Sequence, residues 1–320
     1  MNLSEKIKII IRSHGFDLVG FINKYDFKYF ANNNPIKSNS KPVLSEPESI
    51  IVVGVCDLRW IKDTRPMLPV GKIARSYAAG HEFDLTEELH PVMRFLLSEG
   101  FQAMICTKNS PLTIFSLKAA ALLAGLGWQG NNSLVINPKF GSWITFGAIA
   151  TNAVLQNNNP PLPNQCGKCK KCLRACPTQA ICEPFIVEPS NCLDGILNTP
   201  GIVQDNIKEK IGNRILSCDV CQEVCPYNVV PLRSQTVHGQ SPCKFDLLKL
   251  IRITKVQFNA YFGNLNWSID YKTFIRNVLI ALGNSGDKRA LQLMESFLFV
   301  SNEPIRDAAN WAYKKLCNSL

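Results

Sequence analysis

The chain has 320 residues, of which 46% are hydrophobic, and its formal net charge at pH 7 is +10. This apolar content can build a buried core and excludes an intrinsically disordered chain, and the 19 glycines and 19 prolines have no fibrous period. The longest apolar runs, such as Ile50 to Val55, reach about six residues, whereas a membrane-spanning helix needs about 20. At the start of the chain, lysines alternate with isoleucines, unlike the apolar block of a signal peptide. We therefore expect a cytoplasmic protein without a membrane segment.

The first 160 residues alternate between helical and strand patterns. A continuous β-branched run at Ile50–Cys56 is typical of a strand that is buried on both faces. Helices are predicted at Leu3–Arg12, Leu85–Ser98 and Phe115–Leu123, and further strands at Asp17–Ile22, Phe101–Cys106, Ser133–Ile136 and Trp143–Ile149, with a polar loop at Asn32–Pro47. Strands that alternate with helices predict an α/β layer.

Two further segments follow this layer. The proline-rich stretch at 157–163 suggests a boundary, so we expect domains at 1–160, 161–232 and 233–320. In the last domain, Ile275-Arg276-Asn277 recurs 30 residues later as Ile305-Arg306-Asp307. This period predicts a short helical repeat, and two ordinary amphipathic helices that share Ile-Arg by accident are the alternative.

The 13 cysteines favour metal binding, because a cytoplasmic chain rarely builds a disulfide framework. Seven of them follow the spacing of bacterial ferredoxins, first as CxxCxxCxxxCP from Cys166 and then as CxxCxxxCP from Cys218, and Cys192 is the candidate for an eighth ligand. The two-cluster pattern assigns one [4Fe-4S] cluster to Cys166, Cys169, Cys172 and Cys225, and the other to Cys176, Cys192, Cys218 and Cys221. Structural zinc is the alternative.

The remaining cysteines have no such spacing, and we expect them to be small buried hydrophobes. They are Cys56, Cys106, Cys182, Cys243 and Cys317, and Cys182 could lie beside a cluster without ligating it.

Two clusters pass single electrons, which indicates either an electron carrier or a reductase that is supplied by one. The chain is much longer than a bare ferredoxin, so we expect a substrate or cofactor site of its own. Lys168, Lys170, Lys171 and Arg174 lie among the cluster cysteines. They form either a solvated face or a docking surface for an acidic donor such as flavodoxin or ferredoxin.

Several motifs together resemble the epoxyqueuosine reductase family over nearly the whole chain. They are GKIAR at 71–75, AGLGWQG at 124–130, INPKFGSW at 136–143, the first cysteine run, IGNRILSCDVCQEVCPYN at 211–228, and Arg276-Asn with ALGN at 281–284. The resemblance implies a cobalamin-binding α/β domain, a double-cubane ferredoxin module and a C-terminal HEAT-like helical repeat that helps to hold tRNA. It also implies an oxidoreductase that reduces epoxyqueuosine to queuosine in tRNA, and an architecture shared with reductive dehalogenases.

The sequence departs from this family at the expected proton donor. The family carries an aspartate just ahead of the AGLGW motif, whereas no carboxylate lies between Thr107 and Ala124 here, where Asn109 cannot donate a proton as an acid does. His81, Glu82 and Asp84 are the remaining candidates for the acid. The alternatives are a paralogous corrinoid and iron–sulfur oxidoreductase with another substrate, or an electron-transfer protein without turnover.

The resemblance also implies residues that hold cobalamin and tRNA. Cobalamin is expected near Gly125, Gly127, Trp128, Asn131 and Ser142, although glycines can simply end a helix and tryptophans are often core residues. The tail beyond residue 240 has 11 Lys and Arg against 6 Asp and Glu. Candidates for phosphate contacts there are Lys249, Arg252, Lys255, Lys272, Lys288, Arg289, Lys314 and Lys315, unless they form a solvated face. We expect a monomer.

Overall fold

The computed structural model describes residues 1–26, 47–62, 66–79, 85–107, 116–156, 159–229, 241–262 and 269–318. The chain forms two compact units, each made of three separate segments. The first unit comprises Met1–Asp57, His81–Cys169 and Pro226–Ser234, and the second comprises Leu58–Gly80, Lys170–Cys225 and Gln235–Leu320. The consecutive domains 1–160, 161–232 and 233–320 therefore stay a prediction.

The described helices and strands are numbered separately along the chain. The helices are Leu3–Ser13 (α1), Arg75–Ala79 (α2), Thr86–Ser98 (α3), Leu117–Leu123 (α4), Lys171–Ala175 (α5), Leu193–Asn198 (α6), Asp205–Ile211 (α7), Val220–Glu223 (α8), Leu247–Leu250 (α9), Lys255–Phe262 (α10), Tyr271–Ser285 (α11), Ala290–Met294 (α12) and Glu303–Asn318 (α13). The strands are Leu18–Asn23 (β1), Ser49–Cys56 (β2), Ile61–Lys62 (β3), Val70–Ile73 (β4), Ala103–Cys106 (β5), Trp128–Gln129 (β6), Val135–Ile136 (β7), Ile144–Thr151 (β8), Ile181–Glu183 (β9), Ile186–Val187 (β10), Arg214–Leu216 (β11), Ser241–Pro242 (β12) and Lys244–Asp246 (β13).

A four-stranded sheet in the order β1-β2-β8-β5 organises the first unit. All three neighbouring pairs are antiparallel, with Val53 opposite Val19 on one side and opposite Gly147 on the other. Every residue of β2 is buried, as its β-branched run predicts. Complete burial of β2 therefore arises in an antiparallel sheet, because helices cover both of its faces.

Alternate residues of β2 point into two separate hydrophobic cores, since side chains along a strand alternate between the faces of a sheet. Ile51, Val53 and Val55 pack in a core with residues of α1 and α3. Ile50 and Val52 pack in the opposite core with the alanines of α4. The first unit is therefore a mixed α/β layer structure, which confirms the α/β class expected for this part of the chain.

The second unit contains a three-stranded sheet in the order β11-β4-β13. Strand β4 pairs in parallel with β11 and antiparallel with β13. Helix α11 packs against this sheet and against α13. Asp270 caps the N-terminus of α11 by accepting hydrogen bonds from the backbone N–H groups of Lys272 and Thr273, at 2.8 and 3.0 Å. Gly286 ends the helix in the left-handed conformation with φ +71°.

Helices α11 and α13 approach each other most closely at Gly283. A Cβ atom there would lie 2.7 Å from both Cα and Cβ of Ala312. This close approach explains why glycine occupies the interior of a buried helix, where its propensity is otherwise unfavourable.

Helices and strands predicted from the sequence occur where the structure describes those residues, with ends that differ by a few positions. The predicted loop at Asn32–Pro47 and the residue Phe115 lie almost entirely outside the described residues. Among the described helices, none combines the length and the apolar character needed to cross a membrane.

Candidate metal centre

Two short helices of the second unit, α5 and α8, pack against each other and carry Cys172 and Cys221. Helices of five and four residues are too short to be stable alone, so their positions depend on packing. Cys172 is buried within this pair of helices, and Cys225, which follows α8, is buried as well.

Four thiols in the second unit affect each other's ionisation. Burial raises the pKa of Cys192, and the charge of Cys176 adds to this effect. Burial also raises the pKa of Cys218 to about 11, with a further contribution from Cys192. The pKa of Cys221 is raised by burial and then by the charges of Cys218, Asp219, Cys192 and Cys172. This coupling links Cys176, Cys192, Cys218 and Cys221, and it also reaches Cys172, which the sequence assigns to the other cluster. The ligand set of each cluster stays a prediction.

Side chains next to two of these cysteines connect the segments that carry them. Asp194, two residues after Cys192, accepts a short hydrogen bond from the hydroxyl of Ser217, which precedes Cys218. Asn198 at the end of α6 donates to the hydroxyl of Tyr77 at 2.6 Å. The segment around Cys192 is thus held against the segment around Cys218, although 26 residues separate the two cysteines in the sequence.

Hydrogen bonds to sulfur distinguish Cys176. Its Sγ accepts a hydrogen bond from the backbone N–H of Ala180 at 3.2 Å and lies 3.7 Å from Thr178 Oγ1. Burial alone would raise the pKa of Cys176, but these and neighbouring hydrogen bonds outweigh it and hold the pKa below its ordinary value. Donors directed at a sulfur stabilise the thiolate form, which is the form that ligates iron.

The chemistry of this donor set fits an iron–sulfur cluster. Four neighbouring thiolates repel one another, and a positively charged iron–sulfur core would remove that repulsion. Within the described ranges, no three His, Cys, Asp or Glu side chains converge closely enough for a single metal ion. A cubane has its iron atoms at separate corners, so its ligands are farther apart than those of one zinc ion.

Asp219 lies between Cys218 and Cys221 in the sequence, and Arg75 holds its carboxylate in place. Its carboxylate accepts a 2.7 Å hydrogen bond from the backbone N–H of Arg75 and lies 3.7 Å from the guanidinium. Burial raises the pKa of Asp219 to about 6, against the effect of Arg75. A cavity of about 40 Å³ beside Cys218 is lined by Ser217 and by charged residues of both signs. They are the cationic Lys72, Arg75, Arg214 and Lys244 and the acidic Asp219 and Glu223, both of which pair with Arg75.

In the first unit, the loop that carries Cys166 and Cys169 is held by side chains outside the cysteine motif. Asn164 Oδ1 accepts from the N–H of Cys166 at 2.8 Å, and Asn131 Nδ2 donates to the carbonyl of Cys169 at 2.7 Å. The Tyr227 hydroxyl donates to the carbonyl of Gln165 at 3.0 Å. Sequence reasoning missed Asn164 and Tyr227, because these partners are recognisable only in three dimensions. The assignment of Cys166, Cys169, Cys172 and Cys225 to one cluster stays a prediction.

The residues expected to hold cobalamin are clustered in the first unit and contact their own chain. A Cβ on Gly125, which has φ +70°, would lie 2.7 Å from the carbonyl oxygen of Pro160, and one on Gly127 would lie 2.6 Å from that of Ile136. Ser142 is buried, and its N–H and Oγ hydrogen-bond with the amide of Asn228 at 2.7 and 2.9 Å. These residues therefore fix the segment 125–142 in place.

Two polar atoms in the same segment have no hydrogen-bond partner within the described residues. They are Nε1 of Trp128, whose side chain is 1% exposed, and Nδ2 of Asn132. An unsatisfied buried donor costs about 1–3 kcal/mol, so both are suited to a bound group that brings carbonyl oxygens.

The candidates for the proton donor, His81, Glu82 and Asp84, lie outside the described residues, as does Asn109. The described part of the segment between Thr107 and Ala124 begins at Ser116 and forms α4. No carboxylate occurs in that helix.

The five cysteines without cluster spacing fall into two groups. Cys56, Cys106 and Cys243 are buried, as expected. Cys182 and Cys317 are exposed, so for them the expectation of small buried hydrophobes is wrong. Cys182 lies in β9, on a short two-stranded sheet that follows Cys176, and Cys317 lies in the last turn of α13.

Comparison with known proteins shows which family the chain resembles. Residues 165–228 match the 4Fe-4S double cluster binding domain. An epoxyqueuosine reductase of Prochlorococcus marinus is 37% identical over 220 residues, which cover 67% of this chain and 68% of the relative. One of Listeria monocytogenes is 30% identical over 297 residues, covering 86% of this chain and 74% of the relative. The chain belongs to the epoxyqueuosine reductase family.

A solved structure of the family agrees with this assignment. The crystal structure of an epoxyqueuosine reductase with an epoxyqueuosine-modified tRNA stem loop matches with a TM-score of 0.82 and 26% identity, over 98% of this chain and 90% of that one. The resemblance that the sequence motifs indicate is confirmed. The chain is an iron–sulfur oxidoreductase of the epoxyqueuosine reductase family.

Proposed function

We propose that this protein reduces epoxyqueuosine to queuosine in tRNA with two [4Fe-4S] clusters and a bound cobalamin. The observation that carries the proposal is the 4Fe-4S double cluster binding domain at residues 165–228, in a chain whose relatives are epoxyqueuosine reductases. The reaction breaks both C–O bonds of an epoxide and forms a C=C bond. It consumes two electrons and two protons, and the oxygen leaves as water.

Cobalamin, when bound, supplies a low-potential metal that can transfer electrons to the epoxide. Gly125, Gly127, Trp128, Asn131 and Ser142 are the residues proposed to hold it. Support comes from the donors at Trp128 Nε1 and Asn132 Nδ2, which could bind the amide carbonyls at the edge of a corrinoid. On this proposal the first unit is a cobalamin-binding α/β domain, and the terminal helices α11 to α13 form a HEAT-like repeat.

The proton donor is proposed to lie among His81, Glu82 and Asp84, because the segment between Thr107 and Ala124 has no acid. A general acid must reach the departing oxygen and hold a proton near neutral pH. Single replacement of the true donor, as in H81Q, E82Q or D84N, should lower the rate of the chemical step and leave the iron content unchanged.

The electron donor is proposed to be an acidic protein of the flavodoxin or ferredoxin type. Cationic side chains outnumber the two carboxylates in the cavity beside Cys218, and Lys168, Lys170, Lys171 and Arg174 accompany the other cysteine run. Opposite charge on the two partners would accelerate their encounter at low salt.

Direct conversion tests the proposed activity. Anaerobically reconstituted protein is incubated with dithionite, cobalamin and a tRNA stem loop that carries epoxyqueuosine, and nucleosides from the digested RNA are analysed by mass spectrometry. The expected product is queuosine, which is lighter by one oxygen atom. Cobalamin uptake without loss of oxygen would support the paralogue with another substrate, and failure to take up cobalamin would support an electron carrier.

A further inference from the structure

All three nitrogens of the Arg276 guanidinium, on helix α11, donate hydrogen bonds to carbonyl oxygens. Nη1 donates to the carbonyls of Thr199 and Gly201 at 2.8 and 2.7 Å, and Nη2 donates to that of Ile196 at 3.0 Å. Nε and Nη2 donate to Oδ1 of Asn277 at 3.0 and 2.8 Å. These acceptors surround the C-terminal end of α6, the six-residue helix that begins immediately after Cys192.

The guanidinium of Arg276 is buried in the protein interior. Arg276 is 2% exposed, and a buried guanidinium is costly unless its donors are satisfied. Carbonyls at the end of a helix carry partial negative charge and lack partners within the helix, so a cation there is favourable. Helix α6 is too short to be stable alone, and Arg276 fixes the end that lies opposite Cys192.

Asn277 extends the same arrangement to a second cysteine segment. Its Nδ2 donates to the carbonyl of Leu197 at 2.8 Å and to that of Ile215 at 3.0 Å. Leu197 belongs to α6, and Ile215 belongs to β11, three residues before Cys218. A single buried amide therefore joins the two segments that carry Cys192 and Cys218, and Arg276 orients that amide through its oxygen.

We propose that Arg276 and Asn277 are positioning residues for the cluster assigned to Cys176, Cys192, Cys218 and Cys221. They set the distance between the segments of Cys192 and Cys218, so that both thiols can ligate one [4Fe-4S] cluster. This inference rests on the proposed iron–sulfur function and assigns a role to a helix that carries no ligand.

The chain supplies a matched control at Arg306, which occupies the equivalent place in the 30-residue repeat. Its Nη1 also donates to backbone carbonyls, those of Val300 and Ser301, at 2.8 and 3.4 Å. These carbonyls belong to the loop before α13 and are far in sequence from any cluster ligand. Arg306 is half-buried and makes fewer hydrogen bonds than Arg276, so its replacement removes arginine–carbonyl hydrogen bonds from the repeat without a direct effect on Cys192 or Cys218.

The test uses the full-length protein, purified and reconstituted without oxygen, as wild type and as R276M, R276K, N277D, R306M and R306K. Iron content and the electron paramagnetic resonance spectrum after reduction are measured for each protein. We expect R276M to hold about four iron atoms instead of about eight, with loss of one of two cluster signals. R276K keeps the charge and the aliphatic stem, and N277D keeps the acceptor for Arg276. Both should retain iron but show an altered signal from the cluster that R276M loses. The signal of this cluster is identified as the one that disappears in C192S.

The two Arg306 variants should have wild-type iron content and spectra. R276K and N277D with wild-type spectra would overturn the inference, even if R276M does not fold. Equal loss of both clusters in the Arg276 variants would also overturn it, because a general loss of stability has no preference for one cluster. Wild-type protein with only about four iron atoms would instead contradict the proposed ligand set, independently of Arg276.

Discussion

Cys192 is the predicted ligand with the weakest support from sequence spacing, because it belongs to neither cysteine run. The hydrogen bond between Asp194 and Ser217 nevertheless holds its segment against that of Cys218. We expect C192S to lose one cluster, so that iron content falls from about eight to about four atoms per chain. Iron and acid-labile sulfide analysis, with the spectrum of the reduced protein, measures this loss. C182S is the control, and an unchanged spectrum in C192S would exclude Cys192 as a ligand.

The cysteines that do not ligate iron should differ in reactivity. Cys182 and Cys317 are exposed, whereas Cys106 is fully buried and its burial raises its pKa to about 11. At pH 8 the reactive thiolate of Cys106 is therefore scarce, and reagent cannot reach it. Native protein with both clusters should take up two iodoacetamide groups per chain, at Cys182 and Cys317, as peptide mass spectrometry can determine. Early labelling of Cys106 or Cys243 would contradict this packing.

Single residues differ in how far sequence reasoning reaches. The double cluster domain at residues 165–228 is predictable because a loop that holds a cluster needs fixed short spacings, whereas the ligand set of each cluster stays a prediction. Asn131 and Ser142 are expected to contact a cofactor, yet their hydrogen bonds go to Cys169, 38 residues away, and to Asn228, 86 residues away. No local pattern encodes such pairs, since they depend on how distant segments fold together.

At the scale of helices, the contact between α11 and α13 should make alanine less stable than glycine at position 283. Alanine is favoured over glycine within a helix by about 1 kcal/mol, but a Cβ at position 283 would lie 2.7 Å from Ala312. Overpacking typically costs about 1–3 kcal/mol, so G283A should lower the free energy of unfolding. The midpoint of thermal unfolding at a fixed scan rate, followed by circular dichroism, measures the effect.

The exposed Lys314 in α13 provides the control for Gly283. Replacement of Lys314 by alanine should change the free energy of unfolding by no more than about 0.5 kcal/mol. A G283A protein that is as stable as wild type would show that the two helices can separate at this point without cost.

Elements are predictable where their residues follow a clear period. Apolar residues at helical spacing predict α1 and α3, which are buried on one face, and a continuous apolar run predicts β2, which is buried on both faces. These patterns do not give strand direction, since parallel and antiparallel strands that are buried on both faces have the same composition. For this reason the antiparallel order β1-β2-β8-β5 emerges only from the structure.

For the whole molecule, charge should govern affinity for tRNA. Lys249, Arg252 and Lys255 are exposed within seven residues, whereas Arg289 already forms an ion pair with Asp287 at 2.5 Å. We expect the combined variant K249Q/R252Q/K255Q to bind an anticodon stem loop more weakly than wild type. The log–log dependence of affinity on salt should become shallower by about 0.9 for each phosphate group that the variant no longer binds.

Binding is measured by fluorescence anisotropy between 50 and 200 mM salt, with cluster absorbance as a check that the protein is intact. R289Q serves as the control and should have a smaller effect, because Asp287 already neutralises this arginine. Equal affinity and an equal salt slope in the triple variant and in wild type would exclude these three residues from the tRNA surface.

The position of β4 in the middle of its sheet has a consequence for protein synthesis. A ribosome makes β4 about 140 residues before β11, and β13 emerges later still, so both edges of β4 lack partners while those intervening residues are made. Strand pairing over such sequence separations is slow, and unpaired edges promote aggregation. The three-stranded sheet of the second unit is therefore complete only after β13 has been made, and the cysteines between Cys176 and Cys225 leave the ribosome before that point.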